Sequence, residues 1–311
     1  MGIAKEEFLV MIPVYNPDDK FCKSIRMLRK QVDVLFTLLI VDSGTTCSYQ
    51  KELNDWENVI VRQINASAFN HGGTRQMAIE QFPDKEIYVF LTQDAILKDE
   101  RTLKKLLDVF QDEKIGCAYG RQLPHKHATF FSAFARGLNY PAESHVLSYK
   151  DRDRYGIKTV FISNSFAAYR RTAMMEVGGF PTNTILSEDM FVAANMVLQD
   201  WKVAYVSEAC VYHSHNYTIM QEFKRYFDIG VFHSRESWIR TTFGAAESSG
   251  IKYIMAEIKA AIKKNPFLLI ELVLRDGFRF FGYRMGLKEK VIPLKVKRYL
   301  SMMPRYWESP Y

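Results

Sequence analysis

The chain has 311 residues, which is long for one compact core and predicts a catalytic domain plus an appendage. Hydrophobic residues make up 48% and charged residues 25%, an ordinary balance for a globular protein, and no fixed-period repeat or low-complexity segment indicates a repeat architecture. The formal net charge is +7, and residues 251–311 hold 13 Lys and Arg against five Asp and Glu, so the basic excess lies in the last fifth of the chain. Such a segment can face nucleic acid or an anionic membrane, and its apolar content favours the membrane.

The amino terminus, MGIAKEEFLVMIPVY, does not resemble a signal peptide, because two acidic residues precede a short apolar run and no small-residue cleavage site follows. None of the four cysteines forms a CxxC pair, which is typical of thiols in a reducing compartment. We therefore expect a cytoplasmic location.

Apolar runs near the start of the chain predict buried strands at 8–14, 38–42 and 88–91, with a further short apolar stretch at 59–61. Between them, Phe21, Ile25, Leu28, Val32 and Leu35 share one face of a predicted helix over 21–35, and TRQMAIEQF after residue 73 predicts a second helix. Strands that alternate with helices imply a parallel sheet covered on both faces.

The loops after these strands carry polar residues: Tyr15-Asn16, Asp42-Ser43-Gly44 and Gln93-Asp94. In parallel sheets a ligand binds outside the carboxyl ends of the strands, so we expect these loops to converge on one crevice. No GxGxxG follows the first strand, which argues against a dinucleotide-binding enzyme.

Beyond residue 115 the pattern predicts a strand at 161–171, helices at 172–180 and 187–200, and a strand at 203–215, with helices dominating after 217. In the tail, Ile251, Ile254, Ile258 and Ile262 fall on one helical face. The following run FLLIELVL is only eight residues long, so it should lie on a membrane or in a core rather than span a bilayer.

Several residues are candidates for chemistry. Asp94, just past a buried strand, can hold a divalent cation and through it a diphosphate, or can be a plain loop residue. Asp151-Arg152-Asp153 is a literal DxD in a polar stretch, which we interpret as a solvated loop. Glu188-Asp189 either complements the dipole of a helix start or supplies a general base.

Histidines and an arginine form a second group of candidates. His213 and His215 would share one face of a strand and can bind a metal or phosphate. His125 and His127 are interpreted as surface residues. Arg75, in the segment Asn70-His71-Gly72-Gly73-Thr74-Arg75 before a helix, can pair with a phosphate that approaches the glycines, or be a surface residue after a glycine turn.

Taken in order, seven segments resemble the family 2 glycosyltransferases: IPVYN at 12–16, VDSG at 41–44, NHGGTRQ at 70–76, LTQDA at 91–95, VGGF at 177–180, SEDM at 187–190 and VYHSH at 211–215. The resemblance spans residues 8–235. It is closest to bacterial rhamnosyltransferases that use dTDP-L-rhamnose to build rhamnose-rich (rhamnan) cell-wall polysaccharides. It implies a GT-A fold, an α/β architecture with a Rossmann-like mixed sheet and a helical C-terminal appendage.

By this resemblance, residues 1–235 form the catalytic domain, with a nucleotide half at about 1–115 and an acceptor half at about 116–235. Residues 236–311 form a basic, apolar tail that docks on a membrane or acceptor. The resemblance implies the following roles: Pro13, Tyr15, Asn16, Asp42, Arg75, Gln93 and Asp94 for the nucleotide sugar, Asp94 and His213 for the metal, and Asp189 for the base. Glu188, His215 and Asn164 are secondary candidates. The usual first aspartate of the metal motif is replaced by Thr92.

The implied reaction is a single inverting displacement, in which Asp189 removes a proton from an acceptor hydroxyl and Mg²⁺ or Mn²⁺ stabilises the leaving nucleotide. The implied partners are dTDP-β-L-rhamnose, a polyprenyl-diphosphate-linked saccharide and an anionic membrane at the cytoplasmic face; nucleic acid is not expected. A UDP-hexose donor, a non-catalytic membrane- or nucleic-acid-binding scaffold, and pairing of the tail with a second copy stay open.

Overall fold

The computed structural model describes residues 8–46, 49–244 and 247–308. The expectation for the extreme amino terminus and that for the Cys47 thiol lie outside these residues. The chain divides into two compact units. The first holds the described part of Met1–Asp151 with Thr159–Thr182 and Asp189–Ser214, and the second holds Arg152–Lys158, Asn183–Glu188 and the described part of His215–Tyr311.

Nine strands in the described part of the chain form one mixed sheet, all of it in the first unit. They are β1 (Phe8–Val14), β2 (Thr37–Asp42), β3 (Val59–Gln63), β4 (Ile87–Leu91), β5 (Ile96–Leu97), β6 (Ile115–Leu123), β7 (His145–Leu147), β8 (Phe166–Arg170) and β9 (Lys202–Tyr212). The sheet order is β3-β2-β1-β4-β8-β6-β9-β5, with β7 paired to β9. Strands β3, β2, β1 and β4 run parallel, β8 is antiparallel to both its neighbours, and β6 and β9 are parallel. This is the expected Rossmann-like mixed sheet.

Strands β1, β2 and β4 are buried almost throughout, which explains why they are continuous apolar runs rather than alternating patterns. Their side chains pack with helices of the first unit into one core that contains Val10, Ile12, Ile40 and Val89. Because the three strands are parallel and adjacent, the loops after Val14, Asp42 and Leu91 leave the sheet at the same edge, as the sequence predicts.

Twelve α-helices lie among the described residues. They are α1 (Asp19–Arg29), α2 (His71–Gln81), α3 (Thr102–Leu107), α4 (Phe130–Asn139), α5 (Arg152–Tyr155), α6 (Arg171–Glu176), α7 (Glu188–Leu198), α8 (Ile219–Arg235), α9 (Ser237–Phe243), α10 (Glu247–Lys264), α11 (Leu268–Leu287) and α12 (Leu294–Leu300). Within this described set, no helix is both long and apolar enough to cross a bilayer.

Three predicted elements differ most from the structure. The strand predicted over 161–171 is β8, which begins only at Phe166. The helix predicted over 21–35 ends at Arg29, and Val32 and Leu35 are 40% and 46% exposed instead of continuing its buried face. The apolar spacing continued past the point where the backbone leaves the helix. Strand β9 ends at Tyr212, so His213 and His215 are not on a strand and the two-residue period does not apply to them.

The second unit is helical. Its main part begins at His215, twenty-one residues before the predicted tail, because α8 packs along α11 rather than with the sheet. Thr218 caps α8 in a capping box with Gln221. The division of the catalytic domain from the tail at residue 236 stays a prediction about function, and the compact units divide the chain elsewhere.

Candidate active site

The loop after β1 is held by the loops after β4 and β2. The Gln93 side chain accepts a hydrogen bond from the Tyr15 backbone N–H at 2.9 Å and donates one to the Tyr15 carbonyl at 3.2 Å. Asn16 has a left-handed backbone (φ 41°), and its side-chain oxygen accepts from the N–H and hydroxyl of Thr46. The structure thus brings together the predicted Tyr15, Asn16 and Gln93, and it leaves the Tyr15 side chain about half exposed at 48%. Pro13 lies two residues before Tyr15, in β1, where it pairs with Val41 of β2.

Asp42, at the end of β2, is 1% exposed and accepts four hydrogen bonds. One carboxylate oxygen accepts from the backbone N–H groups of Gly44 and Thr45, and the other accepts from the Tyr49 hydroxyl and the Gln63 amide. Burial by itself raises the pKa of Asp42, but these donors outweigh it and hold the pKa below its ordinary value. Asp42 is therefore a charged acceptor whose oxygens already accept hydrogen bonds from other residues of the chain. A contact between Asp42 and a nucleobase stays a prediction.

Asp94 and His213 meet beside the sheet edge. The Nε2 atom of His213 lies 3.5 Å from Oδ1 of Asp94, and their side chains are 5% and 16% exposed. His213 follows β9 directly, and its backbone is fixed by hydrogen bonds with the Leu123 carbonyl and the Arg136 guanidinium. The fold thus brings together two potential ligand atoms from residues that are 119 positions apart in the sequence.

Gln122 determines which ring nitrogen of His213 faces Asp94. Its amide NH₂ donates to the Ser163 hydroxyl at 3.0 Å, so its carbonyl oxygen faces Nδ1 of His213 at 2.9 Å. The Nδ1 atom carries the proton that is donated to that oxygen, so in the neutral imidazole the Nε2 lone pair faces the Asp94 carboxylate.

Two acceptors that face each other at 3.5 Å repel unless a cation lies between them or the imidazole is protonated. One imidazole nitrogen and one carboxylate oxygen, both little exposed and with a fixed tautomer, fit a divalent cation of the Mn²⁺ or Mg²⁺ type. Asp94 and His213 are therefore the residues of the first unit that can hold a metal.

Asp189, the predicted base, is the second residue of α7. One carboxylate oxygen accepts from the Asn164 backbone N–H at 3.0 Å and the other from the Met190 N–H at 2.8 Å. Asn164 is itself 3% exposed, and its side-chain oxygen accepts from the Tyr169 hydroxyl. These contacts hold the Asp189 carboxylate in one orientation.

The three-residue segment Ser163–Ser165 connects the base to the Asp94–His213 pair. Ser163 accepts from Gln122, which holds His213; Asn164 donates to Asp189; and the Ser165 carbonyl accepts from the N–H of Thr92, two residues before Asp94. The segment precedes β8, whose first residue pairs with the last residue of β4. Sequence analysis singled out Asn164 and missed Ser163 and Gln122, because neither of these two residues belongs to a motif or a spacing that indicates a functional role.

The glycines before Arg75 have a structural role. A Cβ atom on Gly72 would lie 1.8 Å from the Pro181 carbonyl oxygen, so only glycine fits there. The Asn70 side chain caps α2 through the Gly73 N–H and donates to the Thr182 carbonyl. The space beside Gly72, where we expected a phosphate to approach, is thus filled by the Pro181 carbonyl group. Arg75 is 3% exposed, donates to the His71 carbonyl and lies 5.9 Å from the Phe90 ring centre, so a donor contact stays a prediction.

The remaining candidates lie as follows. Glu188 is buried at the start of α7, after Ser187 with a left-handed backbone. His215 is the first residue of the third and longest stretch of the second unit, and its ring stacks on Tyr217. Asp153 of the DxD is exposed, as expected, but it lies in the short helix α5 rather than in a loop. Asp151 ends the preceding 3-10 helix and accepts hydrogen bonds from Ser148.

His125 differs from the surface position that we expected. It is half-buried, and burial, followed by the Lys20 charge, lowers its pKa against the opposing effect of Asp94. His127 is exposed, as expected.

A family model described as glycosyl transferase family group 2 matches residues 89–286. This range holds the predicted base Asp189, the Asp94–His213 pair and the segment Ser163–Ser165 that joins them. The chain belongs to this family. It is therefore a glycosyltransferase, as the seven motifs indicate.

Two curated relatives match almost the full length of the chain. The O-antigen chain rhamnosyltransferase RfbN of Salmonella typhimurium (strain LT2) is 42% identical over 300 residues, covering 96% of each chain. The O-antigen chain rhamnosyltransferase WbaN of Salmonella anatum is 41% identical over 303 residues, covering 97% of this chain and 96% of that one.

Two solved structures share the fold of this family member. The mannosyltransferase PcManGT of Pyrobaculum calidifontis, solved with GDP-Man and Mn²⁺, has a TM-score of 0.58 at 15% identity and covers 97% of this chain and 85% of its own. S. aureus TarS 1–349, solved with UDP, has a TM-score of 0.53 at 16% identity and covers 91% of each chain. The expected GT-A fold is confirmed, together with its helical C-terminal region.

Proposed function

We propose that this chain is an inverting rhamnosyltransferase of cell-surface polysaccharide synthesis. It transfers L-rhamnose from dTDP-β-L-rhamnose to a polyprenyl-diphosphate-linked saccharide and forms an α-rhamnosidic bond. The 42% identity to an O-antigen chain rhamnosyltransferase supports the sugar. The observation that carries the reaction type is the segment Ser163–Ser165, which ties the Asp189 carboxylate to the predicted metal ligands.

In this proposal the nucleotide lies at the ends of β1, β2 and β4. Gln93 holds the backbone of Tyr15, and the half-exposed Tyr15 ring offers a flat apolar surface for the base. Asn16, Asp42 and Pro13 also lie at these strand ends and complete the proposed nucleotide site. Arg75, a residue of α2, is proposed to lie near the donor.

The reaction needs a base that points at one acceptor hydroxyl. Asp189 removes the proton of that hydroxyl, and the oxygen attacks the anomeric carbon on the face opposite the diphosphate. The bond between that carbon and the diphosphate oxygen breaks at the same time, and dTDP leaves with the bonding electron pair. Because the Asn164 and Met190 N–H groups fix the carboxylate, little reorientation is needed when the acceptor binds.

Asp94 and His213 would hold Mg²⁺ or Mn²⁺, and the bound ion would supply positive charge next to the leaving diphosphate. Thr92 does not provide the second carboxylate of the usual motif, so His213 takes its place as the second protein ligand of the first unit. Whether His215 adds a ligand is tested by comparing His213→Ala with His215→Ala in metal binding.

Gln122→Leu is expected to lower the affinity for Mn²⁺ by about 10–100-fold, because it removes the acceptor that fixes the Nδ1–H tautomer of His213. Gln122→Glu is the matched control, since its carboxylate still accepts from Nδ1–H and can accept from Ser163. Titration of Mn²⁺ followed by electron paramagnetic resonance measures both affinities. Equal affinities in wild type and Gln122→Leu would remove Gln122 from this role.

The acceptor proposal places the chain at the cytoplasmic face of a membrane, where polyprenyl-linked saccharides are extended. A UDP-hexose donor remains the main enzymatic alternative, and a non-catalytic scaffold is the alternative of another class. The scaffold gives no reason for a fixed carboxylate beside a fixed imidazole–carboxylate pair.

A thermal-shift screen of nucleotide sugars with and without Mn²⁺, followed by a transfer assay, tests the proposal. A ligand at about 100 times its Kd stabilises the native state by about 2.7 kcal/mol. We expect the largest Mn²⁺-dependent rise in Tm with dTDP-L-rhamnose, and transfer of rhamnose to a polyprenyl-linked acceptor. A larger rise with a UDP-hexose would assign another donor, and the absence of both donor hydrolysis and transfer would leave the scaffold.

A further inference from the structure

Helix α11 of the second unit has its polar residues inside and its apolar residues outside. At about 100° per residue, Arg275, Arg279, Gly282 and Gly286 share one half of the helix, and all four are buried. The large apolar residues on the other half are 49% to 69% exposed: Ile270, Val273, Leu274, Phe280 and Phe281. Phe278, 37% exposed, lies nearer the buried half and packs on Phe223 of α8. A helix on the surface of a water-soluble domain has the opposite arrangement.

Helix α10 repeats the arrangement. Glu257 is 0% exposed and Ala261 is buried, whereas Ile251, Met255 and Ile262 are 66%, 62% and 51% exposed. Two neighbouring helices of one unit therefore both present isoleucine, methionine or phenylalanine to their surroundings.

Ion pairs hold these helices together. Arg279 donates to both oxygens of Glu222 on α8, at 2.9 and 3.0 Å, and to Glu257 on α10 at 3.1 Å. Arg275 pairs with Glu222 and with Glu271. The two buried arginines of α11 therefore supply charged contacts to both α8 and α10.

Glycines bring α8 and α11 together at backbone distance. A Cβ atom on Gly282 would lie 2.3 Å from the Phe223 carbonyl oxygen, and one on Gly286 would lie 2.0 Å from that of Phe227. Packing of backbone against backbone needs no large apolar side chains between the helices. The exposed residues of α11 are thus left for contact with something other than their own unit.

The charges around the apolar half of α11 are positive at both ends. Lys263 and Lys264 are exposed just before the helix, and Arg284 and Lys288 are exposed at its far end, on the apolar half. Of the residues in α11, all of which the structure describes, the two acidic ones lie off that half. A helix with an apolar centre and cations at both ends matches an anionic lipid surface when its axis lies parallel to the surface.

A second copy of this chain fits this surface less well. In a two-fold pairing of α11 with α11, the lysines at one end would face either the same lysines or Arg284 and Lys288, depending on direction. Either arrangement sets positive charge against positive charge at both ends, whereas lipid phosphates neutralise both.

We propose that the exposed half of α11, continued by that of α10, inserts into the interfacial region of an anionic bilayer with the helix axes parallel to the surface. This rests on the proposed function for its purpose, since it holds the enzyme where lipid-linked acceptors are found. The binding itself does not depend on which sugar is transferred.

Co-sedimentation of the full chain with vesicles tests the proposal. We compare phosphatidylglycerol-containing with pure phosphatidylcholine vesicles at low and high salt, for wild type, Ile270→Gln/Phe281→Gln and Met175→Gln. Met175 is a matched control because it is 66% exposed on α6 of the first unit. Glutamine keeps helix propensity, and circular dichroism melts check that each variant folds.

Wild type should sediment with anionic vesicles at low salt and less at high salt. The double variant should lose at least about tenfold in partitioning, because two large apolar groups no longer leave water, while Met175→Gln should stay within about twofold. Lys263→Gln should lower partitioning into anionic vesicles roughly fivefold and leave neutral vesicles unaffected.

Wild-type protein that stays in the supernatant with anionic vesicles, or a double variant that binds as wild type does, would overturn the proposal. A dimer in light scattering that the double variant abolishes, without vesicle binding, would assign this face to a second copy. Rhamnose transfer to a soluble acceptor analogue separates the two proposals. If it is absent while vesicle binding follows the pattern above, the proposed function fails and the docking face stands.

Discussion

Asp189→Asn is expected to lower the rate of sugar transfer by about 10²–10⁴-fold and to leave donor binding nearly unchanged. The asparagine keeps the size of the side chain and an oxygen that can accept from the Asn164 or Met190 N–H, so the local structure should persist. It cannot remove a proton from the acceptor. The measurement is the steady-state rate of transfer, with donor affinity determined by calorimetry on the same protein.

Glu188→Gln provides the matched control for this prediction. Glu188 is the neighbouring carboxylate in SEDM, and adjacent helix positions point about 100° apart. We expect the smaller loss from this variant. A rate for Asp189→Asn within threefold of wild type, or a larger loss for Glu188→Gln, would take the role of base away from Asp189.

Asp94→Ala is expected to abolish the Mn²⁺ dependence of donor binding. Asp94 provides the carboxylate oxygen that lies 3.5 Å from Nε2 of His213. Without this carboxylate, His213 is the one member of the proposed ligand pair that remains to bind a divalent cation. Calorimetry with dTDP and Mn²⁺ measures the effect, and we expect affinity at least about tenfold lower, equal to that of wild type in chelator.

Asp153→Ala tests the same chemistry at the literal DxD. Asp153 is exposed on the short helix α5, so its removal should change neither metal nor dTDP affinity. Wild-type activity that survives excess chelator would contradict the metal role of Asp94, and so would unchanged affinity in Asp94→Ala. A loss in Asp153→Ala alone would move the metal to the DxD loop.

The family and the arrangement of the first half of the sheet could be predicted because their signals are local. Buried parallel strands are continuous apolar runs, and the polar residues that follow β1, β2 and β4 stand next to them in the sequence. The order of the strands guarantees that these loops meet. Asp189 could be singled out because SEDM is part of the motif series by which the chain resembles its family.

Element ends were less predictable. The spacing of Val32 and Leu35 continued the pattern of α1 beyond its last residue, and VYHSH extended the pattern of β9 past Tyr212. Apolar spacing reports which residues can share a face, but the hydrogen bonds that stop an element involve residues distant in the chain. The His213 backbone, for example, is bonded to Leu123 and Arg136.

By itself, the sequence determined the family, the α/β fold, the aspartates at the strand and helix ends, and the basic character of the tail, since each depends on neighbouring residues. Only the tertiary structure decided that Gln122 faces Nδ1 of His213, that Ser163–Ser165 joins the predicted base to the predicted metal ligands, and that α11 turns most of its apolar residues outward. The physical reason is the same in all three cases. A hydrogen bond or a buried face depends on partners tens of residues away, and no local pattern of residue types encodes which partner is met.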